Sequence, residues 1–479
     1  MTNYINTIGL EVHLELKSKT KIFSNSLNGF GKGANTLVNE IDLGMPGVLP
    51  KINKEVINLG IKAALILNCK INKKMFFDRK NYFYPDLPKG YQITQNTTPI
   101  GYDGYVEIER DGIKKKIEIH DIHLEEDTAK SMHRKDVSLL DFNRAGVPLL
   151  EIVTKPCIED STDAKLYLEK LKELMLYADI SDCKIEEGSM RCDANISVRP
   201  IEQKEFNEKI EIKNISSISN VGLALEQCRK EQIELYEDGG NIRPQTRRFD
   251  DKLNRTVLMR YKETGNDYRY FPEPDIPYLI ISDEQIDEVR KTIPKLPDEL
   301  RTIYQEKNIS LINTNKLINN LSLSHFFNEL LDKDIDFVTA SNLLLGDISS
   351  YLNREETTID KTKLTIDRFI TLVNKVSNKE LTSKNVKDIL EDILETDTEI
   401  EDIIKNRNIS NITNTDELRK IVENVIENNE ESVRDFLDGR DRAIKYLMGM
   451  VMKESKGQAN PKLANDILLE MLQLKKNSL

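Results

Sequence analysis

The chain has 479 residues, enough for roughly two to four domains at about 100–200 residues each. It is 39% hydrophobic and 31% charged with a net charge of −12, as expected for a globular protein, and it lacks the run of about 18 apolar residues that a membrane-spanning helix needs. Its acidity speaks against a uniformly nucleic-acid-binding surface, yet residues 381–440 hold 16 acidic and 8 basic side chains and residues 441–479 hold 4 and 7, so a local basic surface at the end stays open.

The opening, "MTNYINTIGLEVH", has neither a basic n-region nor an apolar h-region, and no signal peptide is expected. Within it, Ile8, Leu10, Val12, Leu14 and Leu16 alternate with Gly9, Glu11, His13, Glu15 and Lys17, the period of a half-buried strand. Helical patterns follow at "KEVINLGIKAALILN", "TDAKLYLEKLKELMLYA" and "NVGLALEQCRKEQIELYEDGG", the last closed by glycines. Between them, "YVEIERDGIKKKIEIHD" reads as a hairpin about Asp111-Gly112. "RCDANISVRP", "KIEIK" and "TVLMRYK" continue the strand habit. Strands and helices that do not alternate regularly predict an α+β domain on a largely antiparallel sheet. From about Asp283 the pattern turns helical, with a capping cluster near "NRNISNITNTDEL". The chain therefore divides into residues 1–292, a helical unit 293–407 and a helical tail 408–479. Five scattered cysteines without CxxC spacing fit a reducing cytosol better than a disulfide framework or a structural zinc site.

Polar clusters concentrate in the first unit. "HDIHLEEDTAK" supplies His120, Asp121, His123, Glu125, Glu126 and Asp127, and "IEEGSMRCDANISVRP" supplies Glu186, Glu187, Arg191 and Asp193. "FDRKNYFYPDLPKGYQITQ" adds Asp78, Arg79, Lys80, Asp86, Lys89 and Gln92. Glu151 stands between Leu150 and Ile152, so it either points out of a strand or is buried beside a charged partner. Joined on one sheet face with His13, Glu125 and Glu126, it would suit Mg²⁺ or Mn²⁺ better than zinc. Arg191, Lys213 and Arg260 on neighbouring strands would then meet phosphoryl charge. A structural ion-pair network is the competing reading. There is no GxxxxGK[ST] loop, no GxGxxG after a strand, no GxSxG and no HExxH. Any ATP would have to lie on a sheet surface.

The stretches "IGLEVHLELKSKTKIFSNS", "MPGVLPKIN", "FDRKNYFYPDLPKGYQITQ", "HLEEDTAKS", "DFNRAGVPLLEIVTKP", "EEGSMRCDANISVRP", "EIKNISS", "QTRRFDD" and "DYRYFPEPDIP" occur in order and resemble the B subunits of aspartyl/glutamyl-tRNA(Asn/Gln) amidotransferases. "GMVMKESKGQANPKLANDILLEML" resembles that family's tail domain. The resemblance implies a cradle domain, a helical domain and a tRNA-binding tail. It implies ATP- and Mg²⁺-dependent activation of the side-chain carboxylate of mischarged Glu-tRNA(Gln) or Asp-tRNA(Asn). Ammonia would come from the amidase, or A subunit, and a small C subunit would strap the pair together. A tRNA-binding adaptor without catalysis is the alternative. The expected cation ligands are His13, Glu11, Glu125, Glu126 and Glu151, with Glu126, Glu151, Arg191 and Asp193 in catalysis. Lys213, Arg260, Arg79 and Lys89 are expected to contact the nucleotide. Many relatives carry two cysteine pairs after the first strand. Ser24, Ser26, Asn39 and Asp42 stand at those places here, so no zinc is expected.

Overall fold

The alternation that opens the chain forms a strand of 12 residues, β1 (Tyr4–Glu15), in the computed structural model. The structure describes residues 3–261, 268–407, 409, 415–437, 440, 442–455, 459 and 461–477. β1 lies at the centre of a 9-stranded sheet. The other strands are β2 (Lys70–Ile71), β3 (Gly101–Arg110), β4 (Ile113–Glu126), β5 (Pro148–Thr154), β6 (Met190–Pro200), β7 (Ile210–Lys213), β8 (Gln245–Asp250) and β9 (Arg255–Tyr261). Their order across the sheet is β9-β8-β7-β6-β1-β5-β4-β3-β2. Neighbours run antiparallel except β7 and β8. A helix joins those two strands, the crossover that a parallel pair requires. The β3–β4 hairpin turns on Asp111 and Gly112 with φ of 53° and 78°, the left-handed pair that a two-residue turn of the right twist needs.

Helices cover one face of the sheet. α1 (Lys54–Ile66) starts where Asn53 accepts from Glu55 N, α2 (Ser161–Tyr177) where Asp160 accepts from Thr162 N and Asp163 N, and α3 (Ile218–Glu237) where Ser217 accepts from Asn220 N. Each cap satisfies N–H groups that have no partner inside the helix. Ile8, Leu10, Val12 and Leu14 of β1 share one buried cluster with Ile61 and Ala64 of α1, Leu168 and Leu171 of α2, and Val221 and Leu225 of α3. Burying each such aliphatic side chain contributes about 1.5–3 kcal/mol, so the sheet has one obligatory inner face. The odd-numbered residues of β1 are left for the other face.

The described chain separates into two compact units, Met1–Pro297 and Asp298–Leu479. The second unit is helical from Pro297–Glu306 to Pro461–Asn477. Tyr304 packs edge-on against Phe327 at 5.2 Å within it. Its last four helices, Thr415–Asn428, Glu430–Leu437, Arg442–Glu454 and Pro461–Asn477, have their own buried cluster, which includes Leu418, Val422, Leu447, Val451 and Leu468. Lys453 is exposed near the end of one of these helices, whereas Lys456, Gly457, Gln458 and Asn460 lie outside the described residues. No helix among the described residues is long and apolar enough to cross a membrane.

In the segment after β1, Asp42 is the hub. Its Oδ1 accepts from Ser24 Oγ at 2.6 Å, and its Oδ2 accepts from Lys21 Nζ at 3.1 Å and from Asn39 N at 3.1 Å. Asn39 Nδ2 donates to Asn25 Oδ1 at 2.8 Å, and Ser26 N donates to Ser24 Oγ at 3.3 Å. Lys21 is 0% exposed, so Asp42 is the carboxylate that makes its burial tolerable. Phe23 is buried edge-on to Phe77 at 5.2 Å, and Leu43 is half-buried.

Candidate active site

Strand register builds the site. His13 pairs with Glu151 of β5 on one side and Arg191 of β6 on the other, and Glu151 pairs with His123 of β4. Directly opposed residues of antiparallel strands project to the same face. Arg191, His13, Glu151 and His123 thus form a line across four strands on the face away from the helices. Two residues back along β1, Glu11 pairs with Asp193. The Glu and His residues of the opening strand face the site because Leu10, Val12 and Leu14 must face the core.

His13 Nε2 lies 3.4 Å from Glu125 Oε1 and 3.4 Å from Glu151 Oε2. His123 Nε2 lies 3.0 Å from Glu151 Oε2, and its Nδ1 lies 2.9 Å from Asp121 Oδ1. Burial alone would lower the pKa of His13, but hydrogen bonds and attraction from Glu125 and Glu151 raise it to about 10. His123 also rises to about 10, with burial outweighed by Glu151 and Asp121. Burial would favour a neutral Glu151, yet the two histidines hold its pKa well below the carboxylate range. Candidate ligand atoms of His13, Glu125 and Glu151 all lie within 4.8 Å of one another. Two carboxylates and one imidazole converging at that spacing fit a divalent cation, which would replace the imidazolium proton as compensating charge.

Glu11 belongs to a second group, with Asp193 and Glu211, whose ligand atoms also lie within 4.8 Å. A displacement of two residues along a strand is about 7 Å, which removes Glu11 from the His13 group. Lys213 Nζ bridges Asp193 at 2.6 Å and Glu211 at 3.2 Å. Asn195 Nδ2 donates to Glu11 Oε1 at 2.9 Å. Burial, followed by repulsion from Glu151 and Asp193, raises the pKa of Glu11.

The other expected residues make contacts of their own. Glu126 has the opposite parity to Glu125, so it leaves the His13 face; it bonds Lys89 and accepts from Ile93 N at 2.9 Å. Arg79 grips Glu273 with two hydrogen bonds at 2.6 and 2.9 Å, reaches Asp275 at 3.0 Å and lies over the Tyr91 ring. Arg260 is exposed on the edge strand β9, opposite Thr246. Arg191 Nη2 donates to Asp127 Oδ2 at 2.7 Å.

The sequence patterns above assign no role to His123, Glu211 or Lys80. Asp121, His123 and Glu125 alternate with Ile122 and Leu124, and Glu211 stands between Ile210 and Ile212, so the same period-2 signal marks both. Lys80 has no such signal. Burial opposes its charge, but attraction from Glu125, Tyr270 and Glu151 raises its pKa, so it is held as a cation.

The family model described as the GatB/GatE catalytic domain matches residues 6–287, and that described as the GatB domain matches residues 325–472. The chain is similar to the B subunit of the aspartyl/glutamyl-tRNA(Asn/Gln) amidotransferase of Halalkalibacterium halodurans, 47% identical over 470 residues that cover 98% of this chain and 99% of the relative. Proteins of the same description from Bacillus licheniformis and Bacillus velezensis are each 47% identical over 470 residues with the same coverage.

Proposed function

Because the chain belongs to the family of aspartyl/glutamyl-tRNA(Asn/Gln) amidotransferase B subunits, we propose that it activates the side-chain carboxylate of Glu-tRNA(Gln), Asp-tRNA(Asn) or both with ATP, for amidation by ammonia. The observation that carries the reading is the line Arg191–His13–Glu151–His123 with Glu125 beside it. A carboxylate is a poor electrophile because its leaving group would be oxide. Activation has the carboxylate oxygen attack the γ-phosphorus of ATP while the bond to the bridging oxygen breaks and ADP leaves. Ammonia nitrogen then attacks the acyl carbon, the carbon–oxygen bond to phosphate breaks, and a proton is lost to give the amide.

His13, Glu125 and Glu151 would hold one Mg²⁺ or Mn²⁺, and Glu11, Asp193 and Glu211 supply a second set of hard oxygen ligands. A bound cation supplies charge neutralisation for the transferring phosphoryl group. His123 fixes the Glu151 carboxylate through its own bond to Asp121. Lys80, whose charge is favoured by Glu125 and Glu151, and Lys213, beside Asp193, bring positive charge to the two acidic groups. Arg79, Lys89 and Glu126 support the fold around the site through their own ion pairs.

Ammonia would come from a separate amidase chain, with a small third chain completing a heterotrimer that acts in the cytoplasm. The first 292 residues would handle the aminoacylated end, with residues 293–407 and 408–479 as separate helical domains, the last on the tRNA body. The test is amidation of Glu-tRNA(Gln) and Asp-tRNA(Asn) by the reconstituted complex. Activity should require ATP and Mg²⁺ or Mn²⁺ and should persist when free ammonia replaces glutamine. Failure of ammonia-dependent amidation with both tRNAs would overturn the reading.

A further inference from the structure

At the Arg191 end of the line, Asp127 gathers two arginines. Its Oδ2 accepts from Arg144 Nε at 2.6 Å and from Arg191 Nη2 at 2.7 Å. Asp127 is itself fixed: its N–H donates to Val147 O at 2.8 Å, and its Oδ1 accepts from Thr128 N at 2.9 Å. Arg144 Nη2 and Arg191 Nε are buried without a hydrogen-bond partner among the described residues. A guanidinium N–H in that state is among the costlier groups to leave unpaired, and here each of two converging guanidiniums has one. Gly188, at φ +78°, borders Arg144, where an added Cβ would stand 3.7 Å from Nη2.

The charge of this corner selects its ligand. Two guanidiniums are set against Asp127 and, 3.6 Å from Arg144 Nε, Glu15, so the corner carries at most one net positive charge and suits a monoanion better than a phosphate dianion. Arg191 is directly opposite His13 in the sheet, so the corner and the candidate cation group draw on the same face. A carboxylate matches in shape as well, with two oxygens for one N–H from each fork.

We propose that Arg144 and Arg191, oriented by Asp127, form a clamp for the side-chain carboxylate of the aminoacyl-tRNA before it is phosphorylated. The proposal rests on the amidotransferase reading and adds Arg144 as a substrate-binding residue and Asp127 as a positioning residue. The clamp distinguishes substrate from product, since an amide offers one oxygen, no charge and two N–H groups that would face guanidinium donors.

The test is binding of Glu-tRNA(Gln) and Gln-tRNA(Gln), or the Asp and Asn pair, to the reconstituted complex without ATP. The wild-type complex should prefer the carboxylate form by about tenfold or more, as expected for charge-assisted hydrogen bonds. R144Q should bring that ratio close to one while leaving the KM for ATP unchanged, and R144K should restore part of it. D127N, which adds net positive charge but releases both arginines, should nonetheless reduce the ratio, because the clamp depends on their orientation. An unchanged or higher ratio would remove Asp127 as the positioning residue. Equal weakening of both tRNAs by R144Q would mark a merely structural residue, and a raised KM for ATP with the ratio intact would mark a phosphate contact; either overturns the clamp. A wild-type complex that amidates neither tRNA overturns the functional reading and the clamp with it, a result independent of Arg144.

Discussion

Glu151 is held between two histidines, and its neighbours Leu150 and Ile152 are fully buried on the opposite face. Replacing His13 or Glu151 by Ala removes one of three converging ligands and leaves the others mutually uncompensated. Ammonia-dependent amidation by the complex should fall on the order of 10²-fold or more. Glutamine hydrolysis by the amidase chain should survive at least in part, with complex assembly checked by gel filtration. Unchanged amidation in both variants would remove these residues from the site. Asp42 offers a second test at this scale. Asp42→Ala leaves Lys21 buried without its carboxylate and should cost about 3–5 kcal/mol, read as a lower midpoint of denaturant unfolding. Because Ser24, Ser26, Asn39 and Asp42 bond one another through oxygens and amides, elemental analysis should find no stoichiometric zinc.

Among the elements, α2 shows how one side chain can set a boundary. Asp160 accepts from Thr162 N and Asp163 N at 2.8 and 2.9 Å and pairs with Arg110 at 2.5 Å. Burial would raise its pKa, but the backbone bond from Asp163 and the contact with Arg110 outweigh burial and lower it. A carboxylate depressed in the folded state contributes stability above its unfolded pKa of about 3.9 and loses it as pH falls through the folded value. Asp160→Ala should therefore destabilise by about 1 kcal/mol at neutral pH, with the difference from wild type shrinking below about pH 4. A gap between the unfolding curves that does not depend on pH would refute the ionic part of this account. The β4 strand makes the complementary point, since adjacent Glu125 and Glu126 go to opposite faces by parity alone.

Taken whole, the chain is acidic, yet its last 39 residues carry a net +3. The last four helices pack around their own buried cluster. If they hold the tRNA body, their lysines make salt-sensitive contacts that do not read sequence. Deleting residues 408–479 should raise the KM for mischarged tRNA and flatten its dependence on salt, while glutamine hydrolysis stays nearly unchanged. Equal tRNA affinity of the truncated and intact complexes across a salt series would reduce the tail to a structural appendage.

Period-2 alternation in "IGLEVHLELK" and "RCDANISVRP", the Asp-Gly turn and the capped helical runs were legible in the sequence, because each depends on residues close together in the chain. They established the α+β class, the largely antiparallel sheet and which side of β1 would be polar. Register was not legible. Whether His13 meets Glu151 or slips past it depends on how four strands from separate segments of the chain align, and only burial of their shared inner face decides that. The same decision moved Glu11 into a second group and brought Asp121 and His123 to Glu151. It also joined Arg144, from a short helical turn with no periodic signal, to Arg191 through a single carboxylate. Local pattern determined which residues could face a site, and long-range strand pairing decided which of them meet.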